Sequence, residues 1–206
     1  MSTIALQLKE STRNAHNSAE GHEFQKHLGS GTLSKTLYCQ YLSQLFLTHQ
    51  ALETAMANQP YMGAVVSEPQ LQTEFLREDL KALDVEPESV KPLEITKSML
   101  NRIDELSKSD PTALLGFHYV LLGSKHGGKF IATTMKKAFG FERAGCIYFD
   151  PYGQEFQKHW QHFVSGINSF DIQDSQIEPL MQAASEMFAY VEKLGGHLLQ
   201  TSAAKQ

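Results

Sequence analysis

Tyr119-Val120-Leu121-Leu122-Gly123-Ser124-Lys125-His126-Gly127-Gly128 decides how this chain is read, because three glycines fall within six residues of what is otherwise one long helix. Before the glycines, Leu114, Leu115, Phe117, Val120, Leu121 and Leu122 recur at helical spacing; after them Phe130, Ile131, Met135 and Ala138 resume the pattern. A glycine in a helix interior costs about 1 kcal/mol relative to alanine. A cluster of them marks a use: a kink, a flat ligand lying directly on the backbone, or close helix–helix packing through missing side chains.

Outward from this segment the period stays helical. Ile4 to Glu20 forms the first amphipathic stretch, with Ile4, Leu8 and Ala15 on one side and Lys9, Arg13 and Asn17 on another. Ser34 is a candidate N-cap for a long helix carrying Leu37, Tyr41, Leu45, Thr48 and Leu52 and ending near Asn58-Gln59-Pro60. Further helices are expected over 71–83, 92–107 and from Ser109-Asp110-Pro111 into the glycine segment. Asp150-Pro151-Tyr152-Gly153 is a turn before the helix of Trp160 and Phe163, and a last helix runs from about Ser175 to Leu194. Gly195-Gly196 is expected to stop it, leaving 196–206 as a loose tail. No strand alternation, repeat or linker is visible, so the expectation is a single all-α domain over 1–206.

Bulk properties narrow the function. With 206 residues, 41% hydrophobic and 20% charged, the chain suits one well-filled core. A net charge of -5 without a dense Lys/Arg run argues against nucleic acid. No apolar run is long enough to span a bilayer, and Met1-Ser2-Thr3-Ile4 lacks signal-peptide character. Cys39 and Cys146 are two thiols in apolar settings, expected reduced in a cytoplasmic protein. There is no nucleophile elbow, no phosphate loop after a strand, and no doubled Glu-x-x-His di-iron signature.

Nine histidines remain. His22/His27 and His159/His162 lack the carboxylate or cysteine companions of a metal site. His16 differs, because Glu20 lies one helical turn later on the same face. A ligating imidazole gives its second N–H to an acceptor, which fixes the tautomer and strengthens the ligating nitrogen. Lys9, Thr12 and Arg13 precede His16 on the same stretch and put cations within reach of ligand carboxylates.

The block Leu8-Lys9-Glu10-Ser11-Thr12-Arg13-Asn14-Ala15-His16-Asn17-Ser18-Ala19-Glu20 closely resembles the N-terminal helix of haem oxygenases, and Tyr119 to Gly128 resembles the distal helix of their bacterial branch. Leu76-Arg77-Glu78-Asp79-Leu80-Lys81-Ala82-Leu83, Tyr152-Gly153 with Trp160, and Phe188 extend the likeness over nearly the whole chain. The resemblance implies an all-α fold holding haem b, at once cofactor and substrate, between a proximal and a kinked distal helix. His16 would be the proximal iron ligand and Glu20 the acceptor for its other nitrogen. Lys9, Arg13 and Tyr119 would serve the propionates, with Lys158 a further candidate. Gly123, Gly127 and Gly128 would let the distal backbone lie against the porphyrin and steer oxygen to the ring edge. The activity implied is biliverdin, carbon monoxide and ferrous iron from haem, O2 and electrons from a ferredoxin/flavodoxin-type or other reductase, by a monomer with no nucleic-acid or membrane partner.

The chain departs from the family pattern at two points. Ser124 stands where many members carry aspartate, a marker of the bacterial branch, and Lys125-His126 replaces neutral or apolar residues. His126 is therefore a distal ligand candidate, which opens a non-catalytic haem-binding alternative for storage, transfer or sensing. A thiamin-degrading or quinone-forming enzyme on the same architecture would need an acidic or cysteine constellation that the sequence does not assemble.

Overall fold

Ten α-helices make up most of residues 2–204, the part of the chain described by this computed structural model. They are α1 (Ile4–Ser11), α2 (Arg13–Gly21), α3 (Glu23–Ser30), α4 (Lys35–Ala57) and α5 (Thr73–Ala82), then α6 (Glu94–Ser109), α7 (Leu114–Gly123), α8 (Gly128–Phe139), α9 (Phe156–Ser169) and α10 (Asp174–Ala203). No strand occurs among the described residues, as the unbroken helical period predicts.

The long helices start and stop where their side chains offer a reason. Ser34 caps α4, its hydroxyl accepting the Leu37 N–H at 3.3 Å. Gly31, left-handed at φ 72°, closes α3. Helix α10 is the axis of the fold and packs on α7 above all, then on α2, α3 and α4. Its contact with α7 depends on a missing side chain. A Cβ on Gly116 would stand 2.4 Å from the Leu180 carbonyl oxygen and 2.9 Å from the Ala184 nitrogen. The two backbones thus meet over Gly116, Ala183 and Ala184, all fully or nearly fully buried.

Three sequence expectations are corrected. The stretch 4–20 is not one helix: it changes course at Thr12, whose buried hydroxyl turns back onto the Leu8 carbonyl at 2.6 Å. Gly195-Gly196 does not end α10, which continues to Ala203. These glycines serve packing, since a Cβ on Gly195 would meet Phe24 of α3 at 2.7 Å. Residues 196–203 are therefore helix, not loose tail, and Leu198 there is 2% exposed; 205–206 lie outside the described residues. The glycine segment itself is a kink, α7 passing through a 3-10 turn at Ser124–His126 into α8.

Candidate functional site

The kink and α2 face a common cavity of about 340 Å³, within the size range of small-molecule sites. From α2 it receives His16 and Glu20; from the kink Gly123, Ser124, His126 and Gly127; from α4 Tyr41 and Leu45; from α10 Phe188 and Val191. Phe130 at the start of α8, 67% exposed, forms an apolar lip. The chain thus brings together six of its sequence-predicted site residues, far apart in sequence, on one hollow.

His16 presents an imidazole to the cavity from α2. Its ring meets the edge of Phe188 at 5.5 Å between centroids. Its Nδ1 lies 3.7 Å from Glu20 Oε2, an ion-pair distance too long for a hydrogen bond. The side chains are 55% and 76% exposed, so nothing packs them into closer contact. With Nδ1 turned to the carboxylate, Nε2 is the nitrogen left for a ligand.

The three glycines of the kink do different work. Gly127 has open space where a Cβ would stand, with nothing within 4 Å, and it lines the cavity. Gly123 also lines it, and a Cβ there would touch Trp160 at an ordinary 3.6 Å. Gly128 is buried and turned elsewhere: its Cβ would fall 1.8 Å from the Phe149 carbonyl oxygen. The expectation that Gly128 clears a ligand face is therefore corrected; it clears the chain at Phe149.

His126, the distal candidate, bonds through Nδ1 to the Gly123 carbonyl at 2.8 Å. Its ring stands edge-on to Phe156 (4.7 Å) and Trp160 (4.8 Å) of α9, which clamp it beside the kink. Lys9 and Arg13 are exposed on α1 and α2, form no ion pair among the described residues and do not line the cavity. Tyr119 is also off the cavity, packed on Trp160 at 5.6 Å, its hydroxyl beside Thr12 at the bend between α1 and α2. Burial pushes its phenol upward, opposed by Thr12. Lys158 pairs with Glu155 at the start of its own helix.

The far wall was not legible in the sequence. Tyr148 and Phe149 reach the cavity from the segment 145–149, which is held by Asp79 of α5. The buried Asp79 carboxylate accepts the N–H groups of Gly145, Ile147 and Tyr148, each at 2.8 Å. Burial raises this carboxyl to about 6 in spite of the three donors. Lys125, buried, lies with its ammonium nitrogen 3.1 Å from the Tyr148 ring centroid, and burial drives its pKa well down. Behind Tyr148 stands His49 of α4, with Nε2 3.1 Å from the Tyr148 hydroxyl and Nδ1 3.3 Å from Glu53. Burial depresses His49. Burial also works to raise Glu53, but the His49 contact and the Gln72 and Thr73 donors outweigh it and hold the carboxyl low.

The donor set and shape fit haem: an imidazole on α2 facing the cavity, a wall without side chains at Gly123 and Gly127, and apolar flanks. Among the described residues no cluster of three or more His, Cys, Asp or Glu side chains is placed to hold a bare metal ion.

Known proteins resemble this chain over nearly its whole length. A family model described as "Heme oxygenase" matches residues 2–195. The curated "Heme oxygenase" of Guillardia theta is 24% identical over 195 residues, covering 90% of this chain and 81% of that protein. The crystal structure of heme oxygenase-1 from Synechocystis sp. PCC6803 in complex with heme is similar at a TM-score of 0.87 and 20% identity, covering 99% of this chain and 97% of that one. A TenA homolog from Pseudomonas syringae shares the fold more loosely, with a TM-score of 0.65 and 14% identity over 94% of this chain and 91% of that one. At such identities the structural likenesses establish the fold alone.

Proposed function

The chain belongs to the haem oxygenase family, and from that premise we propose that it cleaves haem oxidatively to biliverdin, carbon monoxide and ferrous iron. The observation that carries the reading is the cavity in which His16 and the bare backbone at Gly123 and Gly127 share one wall system. When bound, haem supplies the iron that activates O2 and the porphyrin ring that is oxidised.

The protein's part is to hold, shape and protonate. His16 Nε2 is the iron ligand in this reading, with Glu20 closing on Nδ1 as the ring is pinned. Leu45, Phe188 and Val191, which line the cavity, would exclude water from a bound haem. Gly123 and Gly127 would leave the wall beside a bound ring without side chains. Lys9, Arg13 and Tyr119, off the cavity itself, would be the cations and hydroxyl available to haem propionates. The electron donor is an external ferredoxin/flavodoxin-type or other reductase. His126 is committed through Nδ1 to the Gly123 carbonyl, and in this reading it braces the kink.

The test is optical. Purified protein is titrated with hemin, then given reductant and air with catalase present. A Soret band that forms and then decays into the biliverdin bands supports the oxygenase. A Soret that persists under turnover replaces it with the haem-storage reading, and no Soret complex removes haem altogether.

A further inference from the structure

We propose that Tyr148, His49 and Glu53 form a relay that delivers protons into the cavity, Tyr148 donating at its wall and His49 and Glu53 acting as positioning residues behind it. The inference rests on the oxygenase reading, because reduction of oxygen to water consumes one proton for every electron supplied by the reductase.

The cavity wall offers few other hydroxyl protons. The Ser124 hydroxyl donates to the Leu121 carbonyl at 2.7 Å, which leaves its oxygen as an acceptor beside the Tyr148 hydroxyl. Tyr41, the other phenol in the wall, bonds to the Gln25 amide and not to an ionisable group. Tyr148 alone has a titratable chain behind it.

The directions of the hydrogen bonds follow from the donors. Glu53 Oε1 accepts the Gln72 N–H at 2.6 Å and the Thr73 N–H at 3.1 Å, as an ionised carboxylate does. Facing that acceptor, His49 Nδ1 carries the hydrogen and Nε2 is left to accept from the Tyr148 O–H. At rest the phenol therefore points away from the cavity. A proton taken up at Nε2, the ring nitrogen that carries none at rest, reverses this: Glu53 stabilises the imidazolium through Nδ1–H, Nε2–H donates to the phenol oxygen, and the Tyr148 O–H turns to the cavity. Tyr148 gives its proton to the acceptor there and takes the Nε2 proton in exchange. One proton crosses, no electron moves, and the resting pattern returns.

The surroundings suit a reloading path. Glu53, its side chain 13% exposed against 3% for His49, holds Nδ1–H in place and passes no proton itself, so Nε2 is reloaded from the polar compartment around the ring; the Gln72 amide beside Glu53 bonds to the Tyr152 hydroxyl at 3.1 Å. The other charged or titratable groups at His49 are Lys125 from the kink, whose charged form disfavours an imidazolium, and His118 from α7. Among the described residues, His118 Nε2, Thr73 Oγ1 and Gln72 Oε1 are buried without a protein partner, so this compartment is polar enough to exchange protons through water.

Nitrogen-15 NMR of the haem-free protein tests the geometry: His49 is expected in the Nδ1–H tautomer at neutral pH, shifting in Glu53→Gln. An Nε2–H tautomer in the wild type overturns the relay. In the hemin-loaded protein, Tyr148→Phe and His49→Gln should each slow biliverdin formation by about 10²-fold, the scale of general acid catalysis. Each should raise the solvent deuterium isotope effect, and the double variant should be no slower than the slower single one. Hemin affinity should stay within a few-fold. Full-rate turnover by Tyr148→Phe, or losses that multiply with an unchanged isotope effect, overturns the relay while leaving the oxygenase standing. Wild-type protein that never cleaves hemin overturns the oxygenase and the relay's purpose together, and the haem-free tautomer then reports only the resting geometry.

Discussion

Two adjacent glycines are expected to respond to the same methyl group in opposite ways. A Cβ on Gly128 would lie 1.8 Å from the Phe149 carbonyl oxygen and 2.8 Å from its carbon, both backbone atoms. Real Cβ contacts do not fall below 3.0 Å, so Gly128→Ala must push the 147–149 segment away by about 1.2 Å, against the Asp79 hydrogen bonds that hold it. Overpacking on that scale costs about 1–3 kcal/mol, and the rigid backbone neighbour argues for the upper half. Any helix-propensity gain at the first residue of α8 returns at most about 1 kcal/mol. At roughly 2–4 °C per kcal/mol for a chain of this length, a net loss of about 1–3 kcal/mol should make Gly128→Ala melt about 2–12 °C below wild type. Gly127, at φ -92° and ψ -6°, has no neighbour within 4 Å. Gly127→Ala should leave Tm unchanged or raise it by a degree or two, since alanine narrows the unfolded ensemble by about 0.4–1 kcal/mol. Because Gly127 lines the cavity, hemin affinity is expected to fall roughly tenfold, the equivalent of about 1.4 kcal/mol of overpacking. Circular dichroism melts with parallel hemin titrations decide it. Equal melting of Gly128→Ala and wild type, or destabilisation confined to Gly127→Ala, would refute the division of labour between these glycines.

Other expectations follow from single residues. His16→Ala should lose the Soret complex or bind hemin at least tenfold more weakly, and added imidazole should restore the band; an unchanged spectrum would mean that another residue holds the iron. Removal of residues 197–206 deletes the buried Leu198 and should lower stability by about 1.5–3 kcal/mol in denaturant titrations, whereas a loose tail would cost nothing. Asp79 titrates near 6 in the fold against 3.8 unfolded. Its titration therefore favours the fold most below pH 4, and that benefit is lost as pH rises through 6. Wild type should accordingly lose stability relative to Asp79→Asn between pH 4 and 7, by an amount on the order of 3 kcal/mol; parallel curves would show that burial does not hold the acid neutral.

Helix was readable almost everywhere because each stretch keeps a 3.6-residue period, and the glycine cluster announced a kink because no helix carries three such residues without cause. The misreadings came where a glycine or a threonine has a tertiary role. Gly195 looks like a stop signal until Phe24 is seen lying on it. Thr12 looks like an ordinary helical residue until its hydroxyl folds back on Leu8. Tyr148 had no signal at all: it is one aromatic among several in a short non-helical segment, and it reaches the cavity because Asp79, 69 residues earlier, gathers the backbone around it.

The histidines show where the division falls. Local sequence determines that His16 and Glu20, like His49 and Glu53, lie one turn apart on a helix, because rise and turn per residue are properties of the backbone. It leaves the two pairs indistinguishable. Tertiary structure separates them by burial: the His16 side chain remains 55% exposed at a cavity, open to a ligand, while that of His49 is 3% exposed between a phenol and a carboxylate. The difference arises from which helices pack over each pair, and packing depends on contacts between residues far apart in the chain. Burial then sets the dielectric and the hydrogen-bond partners of each imidazole, and those decide what chemistry it performs.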